Sequence, residues 1–405
     1  MKHMIRKLDI RTKEQGIKEF AKICATLQGQ QIMVNKILPL VLKIKGIDVK
    51  AANILKQEML ARDGDVVTSR DTLVKAEGLT DVIILGNEKA IKNLVEKIKM
   101  QPFGLKKLSE ELSEYLIKSY KASNKKILQI GGRDFNLKEN GAIIMGILNV
   151  TPDSFYDGGY YFGADKASKK AEEMIGQGAH IIDIGGMSTR PGSKPVSVEE
   201  EINRVIPVIE NISKKFDVLI SIDTYRSEVA KRAVNAGAKI INDISGLSLD
   251  ENIINVARES KSSAVIMHMQ GTPEDMQVNP TYNDVVEEIY EYFFERTNKV
   301  LQAGITEDKI IIDPGIGFGK KVEHNCEILS RLSEFTSLGY PVLVGASRKS
   351  FIGSLLDGLP AQNRLEGSLA AAVCAFLNGA SILRVHDVKE TIKAIKIAKS
   401  IRDNY

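Results

Sequence analysis

From residue 140 onward the chain alternates between two patterns. Short runs rich in Ile and Val recur: AIIMGILN (142–149), HIIDIGG (180–186), VLISID (218–223), KIINDI (239–244), AVIMHM (264–269), KIIIDPG (309–315), PVLVGAS (341–347) and SILRVHD (381–387). Each is apolar throughout, as parallel strands covered on both faces require. Between them lie segments of helical period, among them 165–177, 198–214, 226–236, 283–302 and 364–378. Several stop at Gly-Ala just before the next run (Gly178-Ala179, Gly237-Ala238, Gly379-Ala380), where a glycine suits a helix end. Eight strand-helix units in about 260 residues predict an α/β fold, a (β/α)8 TIM barrel. A doubly wound open sheet is the competing arrangement of the same pattern.

Ahead of the barrel, ILQIGGRDFNLKENGAII (127–144) reads as a hairpin. Asn140-Gly141 is its turn signal, and a plug across the N-terminal mouth of the barrel is its expected place. Residues 1–120 differ. Helical period appears at 15–26, 49–62, 88–99 and 105–118, with a strand at 81–86. A small α/β accessory module over 1–122 is expected, followed by the barrel over 123–405, with a lysine-bearing stretch (121–126) between them. The module shows no assignable constellation of His, Cys or paired carboxylates, so packing or dimerisation is its expected role.

Composition narrows the class. The 405 residues are 43% hydrophobic and 27% charged, values of a soluble globular protein. The net charge of +4 is spread among interspersed acids and lysines, which argues against nucleic acid and suits an anionic small substrate. Cys24, Cys326 and Cys374 are too far apart in sequence for a zinc motif or a disulfide framework, pointing to a reducing compartment. They are expected to be buried packing residues. The N-terminus lacks an apolar leader core and no run reaches membrane-spanning length, so a cytoplasmic location with no membrane partner is expected.

The candidate chemistry lies where barrel enzymes keep it, at the C-terminal ends of the strands. Asn149, Asp183, Asp223, Asn242, His268, Asp313 and the pair Arg384 and His386 end seven runs, and Ser347-Arg348-Lys349-Ser350 follows the remaining one. Helix caps and turns explain one or two such residues, but not acids, amides and cations converging on one face. Buried polar groups need partners, and a flat heterocycle with donors and acceptors around its edge would supply them. The loops 148–159 and 185–195 are rich in Gly, Pro and hydroxyls, as ligand-closing loops are, and Arg190 could bind an anion. The run Pro314–Lys320 imitates a phosphate-binding loop but lacks its spacing. His180 and His324 read as structural.

The strings MGILNVTPDSFYDGG, DIGGMSTRPG, SIDTYRSEVA, INDISG, DPGIGFGK, GASRKSFIG and ILRVHDV resemble, in order, the motif set of the dihydropteroate synthase family, over about 280 residues. The resemblance implies condensation of 6-hydroxymethyl-7,8-dihydropterin diphosphate with p-aminobenzoate, releasing pyrophosphate, with Mg²⁺, in a homodimer. By position, Asp223, Asn242, Asp313 and Lys349 would grip the pterin edge above Asp183, with Met267 or Met269 against the ring. Asn149 would ligate Mg²⁺. Arg384 and His386 would hold the diphosphate. Asp157 and Arg190, with Thr189 and Pro191, would complete the site on closure. Phe155, Phe318, Lys349 and Ser350 would form the p-aminobenzoate slot. Met187 stands where the family usually has Glu, and Tyr156 where a small residue is common. A methyl-transferring pterin module and a non-catalytic pterin binder are the alternatives, and the cationic set of Lys349, Arg384, His386 and Arg190 argues against the second.

Overall fold

The computed structural model describes residues 3–75, 77–124, 126–150, 160–187, 196–272 and 275–404. The chain divides into two compact units, one over residues 1–118 and one over 119–404.

In the first unit, strands β1 (Pro39–Asp48), β2 (Asp65–Thr68) and β3 (Leu79–Asn87) form a sheet in the order β1-β3-β2. The central β3 is antiparallel to both neighbours. One face is covered by helices Val49–Leu60, Glu88–Ile98 and Leu105–Asn124, whose Leu55, Met59, Ile91, Leu94 and Leu105 are buried against Val66, Val82 and Ile84. On the other face Val41, Val67 and Leu85 are exposed.

The second unit opens with the hairpin β4 (Ile127–Ile130) and β5 (Arg133–Asn136). Its turn is Gly131-Gly132, both at positive φ, and not Asn140-Gly141. Gly141, at φ +77°, instead ends the one-turn helix Leu137–Asn140 that leads into the barrel. Eight parallel strands follow: β6 (Ile143–Asn149), β7 (Ile181–Gly185), β8 (Leu219–Asp223), β9 (Ile240–Asp243), β10 (Ser263–Met267), β11 (Ile310–Asp313), β12 (Leu343–Val344) and β13 (Ile382–Val385). Their order is β11-β10-β9-β8-β7-β6-β13-β12, and a parallel bridge from Ile312 to Val342 joins the two ends. The sheet is therefore a closed (β/α)8 barrel, and the doubly wound alternative is excluded.

The strand pleat sorts the side chains of each strand between interior and helix layer. Ile143, Met145, Ile181, Leu219, Ile240, Val265, Ile311, Leu343 and Ile382 point inward at the start of the strands, forming one apolar cluster with Leu128, Ile130 and Phe135 of the hairpin. The hairpin thus plugs the N-terminal mouth, and Gly131 N–H donates to Ser263 Oγ at 3.0 Å. The intervening residues (Ile144, Ile182, Ile220, Ile241, Ile266, Ile312) face the helices. Those helices are set by ordinary signals. Helix Val198–Lys215 has Ser197 as its N-cap, three glutamates in its first turn, two lysines in its last, and Ile202, Val205, Ile209 and Ile212 on its buried face. His180 accepts from Ile144 N–H at 3.0 Å and packs edge-on against Phe135, at the end of the barrel away from the candidate chemistry. The three cysteines are all exposed, contrary to expectation. Each lies on or beside a helix or turn surface rather than in the strand-facing rows.

Candidate active site

Two residues above the apolar inward layer, the same pleat turns a second set of side chains into the barrel. From Ile181 it reaches Asp183; from Leu219, Ser221 and then Asp223; from Ile240, Asn242. On the other side Val265 leads to Met267, Ile311 to Asp313, and Ile382 to Arg384 and then His386. The interior changes from hydrocarbon to hydrogen-bonding groups within one pleat repeat.

These groups form a network. Arg384 donates from Nε to Asp183 Oδ2 at 2.6 Å and from Nη2 to Asp223 Oδ2 at 2.7 Å. Asn242 Nδ2 donates to the same Asp183 oxygen at 3.1 Å. Asp183 is fully buried, and its Oδ1 has no hydrogen-bond partner among the described residues. Ser221 Oγ, on the adjacent strand and paired in register with Asp183, is likewise without one. Buried acceptors in that state are places where a ligand donor gains most. Asn149 Oδ1 and Asp223 Oδ2 flank Gly185, where a Cβ would stand 3.7 and 3.6 Å from them.

Asp313, at the tip of β11, accepts from Gly315 N–H at 2.8 Å. Burial pushes its carboxyl up to about 6, against the pull of Gly315 N–H, Lys349, Arg384 and Lys320. Asp223 is pushed up to about 7, first by burial and then by the nearby charges of Asp183 and Glu201, with Arg384 and Lys349 opposing. Arg384, between two carboxylates, is held firmly protonated: their attraction outweighs its burial. Met267 is buried beside Asp313, its paired residue on β11.

The rim is built by the loops after β11, β12 and β13. Lys349 Nζ stands 3.9 Å from the centre of the Phe318 ring. Ser350 opens the short helix Ser350–Leu355 and is exposed. Ser347 Oγ accepts from His386 N–H at 3.3 Å and lies 3.0 Å from His386 Nδ1. The hydroxyl thus holds one edge of the His386 imidazole in place. Arg348, at φ +57°, pairs with Asp387 through two bonds of 3.0 and 2.5 Å. That pair ties the residue before Lys349 to the residue after His386.

The structure brings Asp183, Asp223, Asn242, Asp313, Met267 and Arg384 into the interior of one barrel mouth, with Asn149, Phe318, Lys349 and His386 around them. Arg384 is engaged with the carboxylates of the floor, where the sequence suggested a diphosphate clamp. His268, one residue past Met267, is off the inward row: it packs edge-on against Tyr292 and meets Lys320. Phe155, Asp157, Thr189, Arg190 and Pro191, and the departure at Tyr156, lie outside the described residues. Ser221 and Lys320 were not anticipated, and Ser347 was marked only as part of the polar run after its strand. Reading VLISID with period two from Leu219 would have found Ser221. Among the described residues no three His, Cys, Asp or Glu side chains gather as a metal cluster, and no helix is long and apolar enough to cross a membrane.

A closed barrel with a paired-carboxylate floor and cationic rim is the setting of an enzyme for a polar heterocycle, and residues 145–386 match the model of the pterin binding enzyme family. The chain belongs to that family. The dihydropteroate synthase of Escherichia coli K12 is 51% identical over 257 residues, 64% of this chain and 90% of that protein. Solved dihydropteroate synthases of Xanthomonas albilineans, one with 4-aminobenzoic acid and one with 7,8-dihydropteroate, superpose with TM-scores of 0.64 and 0.62 at 40% and 37% identity, each covering 69% of this chain and 99% and 100% of theirs. A Halobacterium salinarum protein, described as a probable bifunctional folylpolyglutamate synthase/dihydropteroate synthase, is 40% identical over 357 residues, 88% of this chain and 42% of that protein. Within the family, the place of this chain is among the dihydropteroate synthases.

Proposed function

We propose that this chain condenses 6-hydroxymethyl-7,8-dihydropterin diphosphate with p-aminobenzoate, giving 7,8-dihydropteroate and pyrophosphate. The observation that carries the reading is the interior network of Asp183, Asp223, Asn242 and Arg384, with Asp313 and Lys349 beside it, at the C-terminal mouth of the barrel. A donor-rich pterin edge satisfies acceptors of this kind, and the likeness to synthases solved with 4-aminobenzoic acid and 7,8-dihydropteroate supports both halves of the reaction.

In this reading Asp223, Asn242, Asp313 and Lys349 take the pterin edge, Asp183 supports them, and Met267 fills against the ring. The C–O bond to diphosphate breaks with its electron pair leaving on pyrophosphate. Positive charge grows on the pterin CH₂ and ring, where the floor carboxylates face it. The p-aminobenzoate nitrogen bonds to that carbon and loses its proton to solvent. Asn149, His386 and Arg384 steady the leaving group, with the His386 ring held by Ser347. Asp157 and Arg190, with Phe155, Thr189 and Pro191, are assigned to closure and the p-aminobenzoate slot beside Phe318 and Ser350. One preorganised group of this sort is typically worth about 10²–10³ in rate.

Mg²⁺ fits the donor set at Asn149. Its amide oxygen is a hard ligand, and Mg²⁺ takes few protein ligands, filling the rest with phosphate oxygens and water. Bound there it would neutralise leaving-group charge. The barrel (123–405) carries the activity and residues 1–122 are an accessory module, as the E. coli relative, matched over 90% of its length by 257 residues, suggests. The Halobacterium match, longer than the second unit, reaches into that module. A cytoplasmic homodimer is the proposed working form, in line with the resemblance. The test is pyrophosphate release from the pterin diphosphate with and without p-aminobenzoate. No p-aminobenzoate-dependent release, together with binding of methyltetrahydrofolate, would favour the methyl-transfer alternative.

A further inference from the structure

The run Pro314–Lys320, which imitates a phosphate loop in sequence, is put to another use. Gly315, Gly317 and Gly319 all lie at positive φ. A Cβ on Gly315 would stand 2.0 Å from His268 O, and one on Gly319 2.5 Å from Gln270 O. The loop after β11 is therefore laid backbone-to-backbone on the segment after β10, which only glycine permits. Lys320 closes the arrangement. It is 4% exposed, and its ammonium donates to Phe318 O at 2.9 Å and His268 O at 3.3 Å, with His268 Nδ1 at 3.1 Å. Burial and Lys320 itself hold His268 neutral, so Nδ1 can accept. Tyr282 O–H adds a bond to Gly319 O at 2.8 Å.

Among the described residues no carboxylate lies within ion-pair distance of Lys320. A buried ammonium without one is costly, and an apolar side chain of the same length would pack there at lower cost. Two of its three bonds reach backbone carbonyls just after β10 and β11, at His268 and Phe318, and the third reaches the His268 ring. The Phe318 ring in turn carries the ammonium of Lys349, 3.9 Å from its centre.

We infer that Lys320 is a positioning residue: it fixes the backbone of Phe318, and through that ring the ammonium of Lys349, so that the p-aminobenzoate slot is formed before the substrate arrives. The inference rests on the functional reading above and extends it to a residue outside the motif's assigned roles. Asp313 keeps Lys349 and Arg384 as its cations when Lys320 is removed, so the pterin side is affected little.

The experiment is steady-state kinetics on the full-length chain, wild type, Lys320→Met, Phe318→Ala and the double variant. Lys320→Met is expected to raise KM for p-aminobenzoate about tenfold, the loss of a hydrogen bond or two. KM for the pterin diphosphate stays within about twofold, and the effect largely disappears in the Phe318→Ala background because both changes act through one ring. If Lys320→Met does not fold, Lys320→Gln, which retains one donor, is expected to show the same selective rise at smaller size. Unchanged KM for p-aminobenzoate, a parallel rise for both substrates, or additivity with Phe318→Ala would overturn it. A wild-type chain that releases no pyrophosphate would sink the functional reading itself, whereas an active wild type with an indifferent Lys320→Met sinks only this inference.

Discussion

Replacing Asp313 by Asn should make the barrel more stable and the enzyme inactive, and the stability gain should depend on pH in a calculable way. Asp313 is 5% exposed, and its carboxyl is raised from 3.8 to about 6, burial being the first cause. A folded-state value above the unfolded one means the native state holds more protons between those two pH values. The stability that protonation gives is therefore complete below about pH 4 and is lost as pH rises through about 6. Asn resembles the protonated carboxyl in shape and can keep the bond from Gly315 N–H. A rise from 3.8 to about 6 corresponds to about 3 kcal/mol above pH 7, roughly half of that at about pH 5, and little below about pH 3.5. Urea titration of the barrel transition at several pH values reads this difference. The midpoint of Asp313→Asn should rise relative to wild type as pH increases and converge with it in acid, while pyrophosphate release falls by about 10²-fold or more. A difference that is constant with pH, or a variant less stable at pH 8, would show that the carboxylate is not held at a cost.

Lys349→Ala should remove most turnover with the melting temperature nearly unchanged, and wild-type-like release would refute its role. Pterin binding should strengthen from pH 5.5 to 8, because a donor-rich edge favours the ionised forms of Asp223 and Asp313, raised to about 7 and about 6; calorimetry in buffers of different ionisation heat should detect proton release on binding. Ser347→Ala should lower kcat more than either KM by freeing the His386 ring, and an unchanged kcat would remove Ser347 from the account. Deleting residues 1–118 should leave a soluble barrel with measurable pyrophosphate release, and an insoluble product would show that the module covers an apolar face.

The barrel was legible because its strands are buried on both faces: a run such as HIIDIGG has no competing reading once eight of them alternate with helices. The edge of that legibility is local. Asn140-Gly141 has the stronger turn signature, yet Gly131-Gly132 makes the hairpin, because pairing was decided by where Leu128, Ile130 and Phe135 could reach the barrel floor. In the first unit β1 was missed. PLVLKIKGID alternates, and with one face exposed the alternation is its only signal. The candidate site was legible as residue types at strand ends but not as a network. Nothing local says that Arg384 will bridge Asp183 and Asp223 from strands about 200 and 160 positions earlier. Lys320 was hidden by its resemblance to another motif, and His268 was assigned to the interior by proximity when the pleat turns it away.

The charges of the floor explain why these groups are kept at a cost to stability. Asp183 and Asp223 pair with Arg384, and Lys349 and Arg384 oppose the rise of Asp313, so opposite charges offset one another in the interior. The two signs are not arranged alike. Arg384 is fixed between two carboxylates by bonds of 2.6 and 2.7 Å, whereas Lys349 sits on an aromatic ring and burial lowers Lys320 to about 7. The proposed reaction places transient positive charge on the ring and brings an anionic carboxylate to the rim, and both gain from that arrangement: carboxylates that ionise beneath the ring and cations beside Phe318.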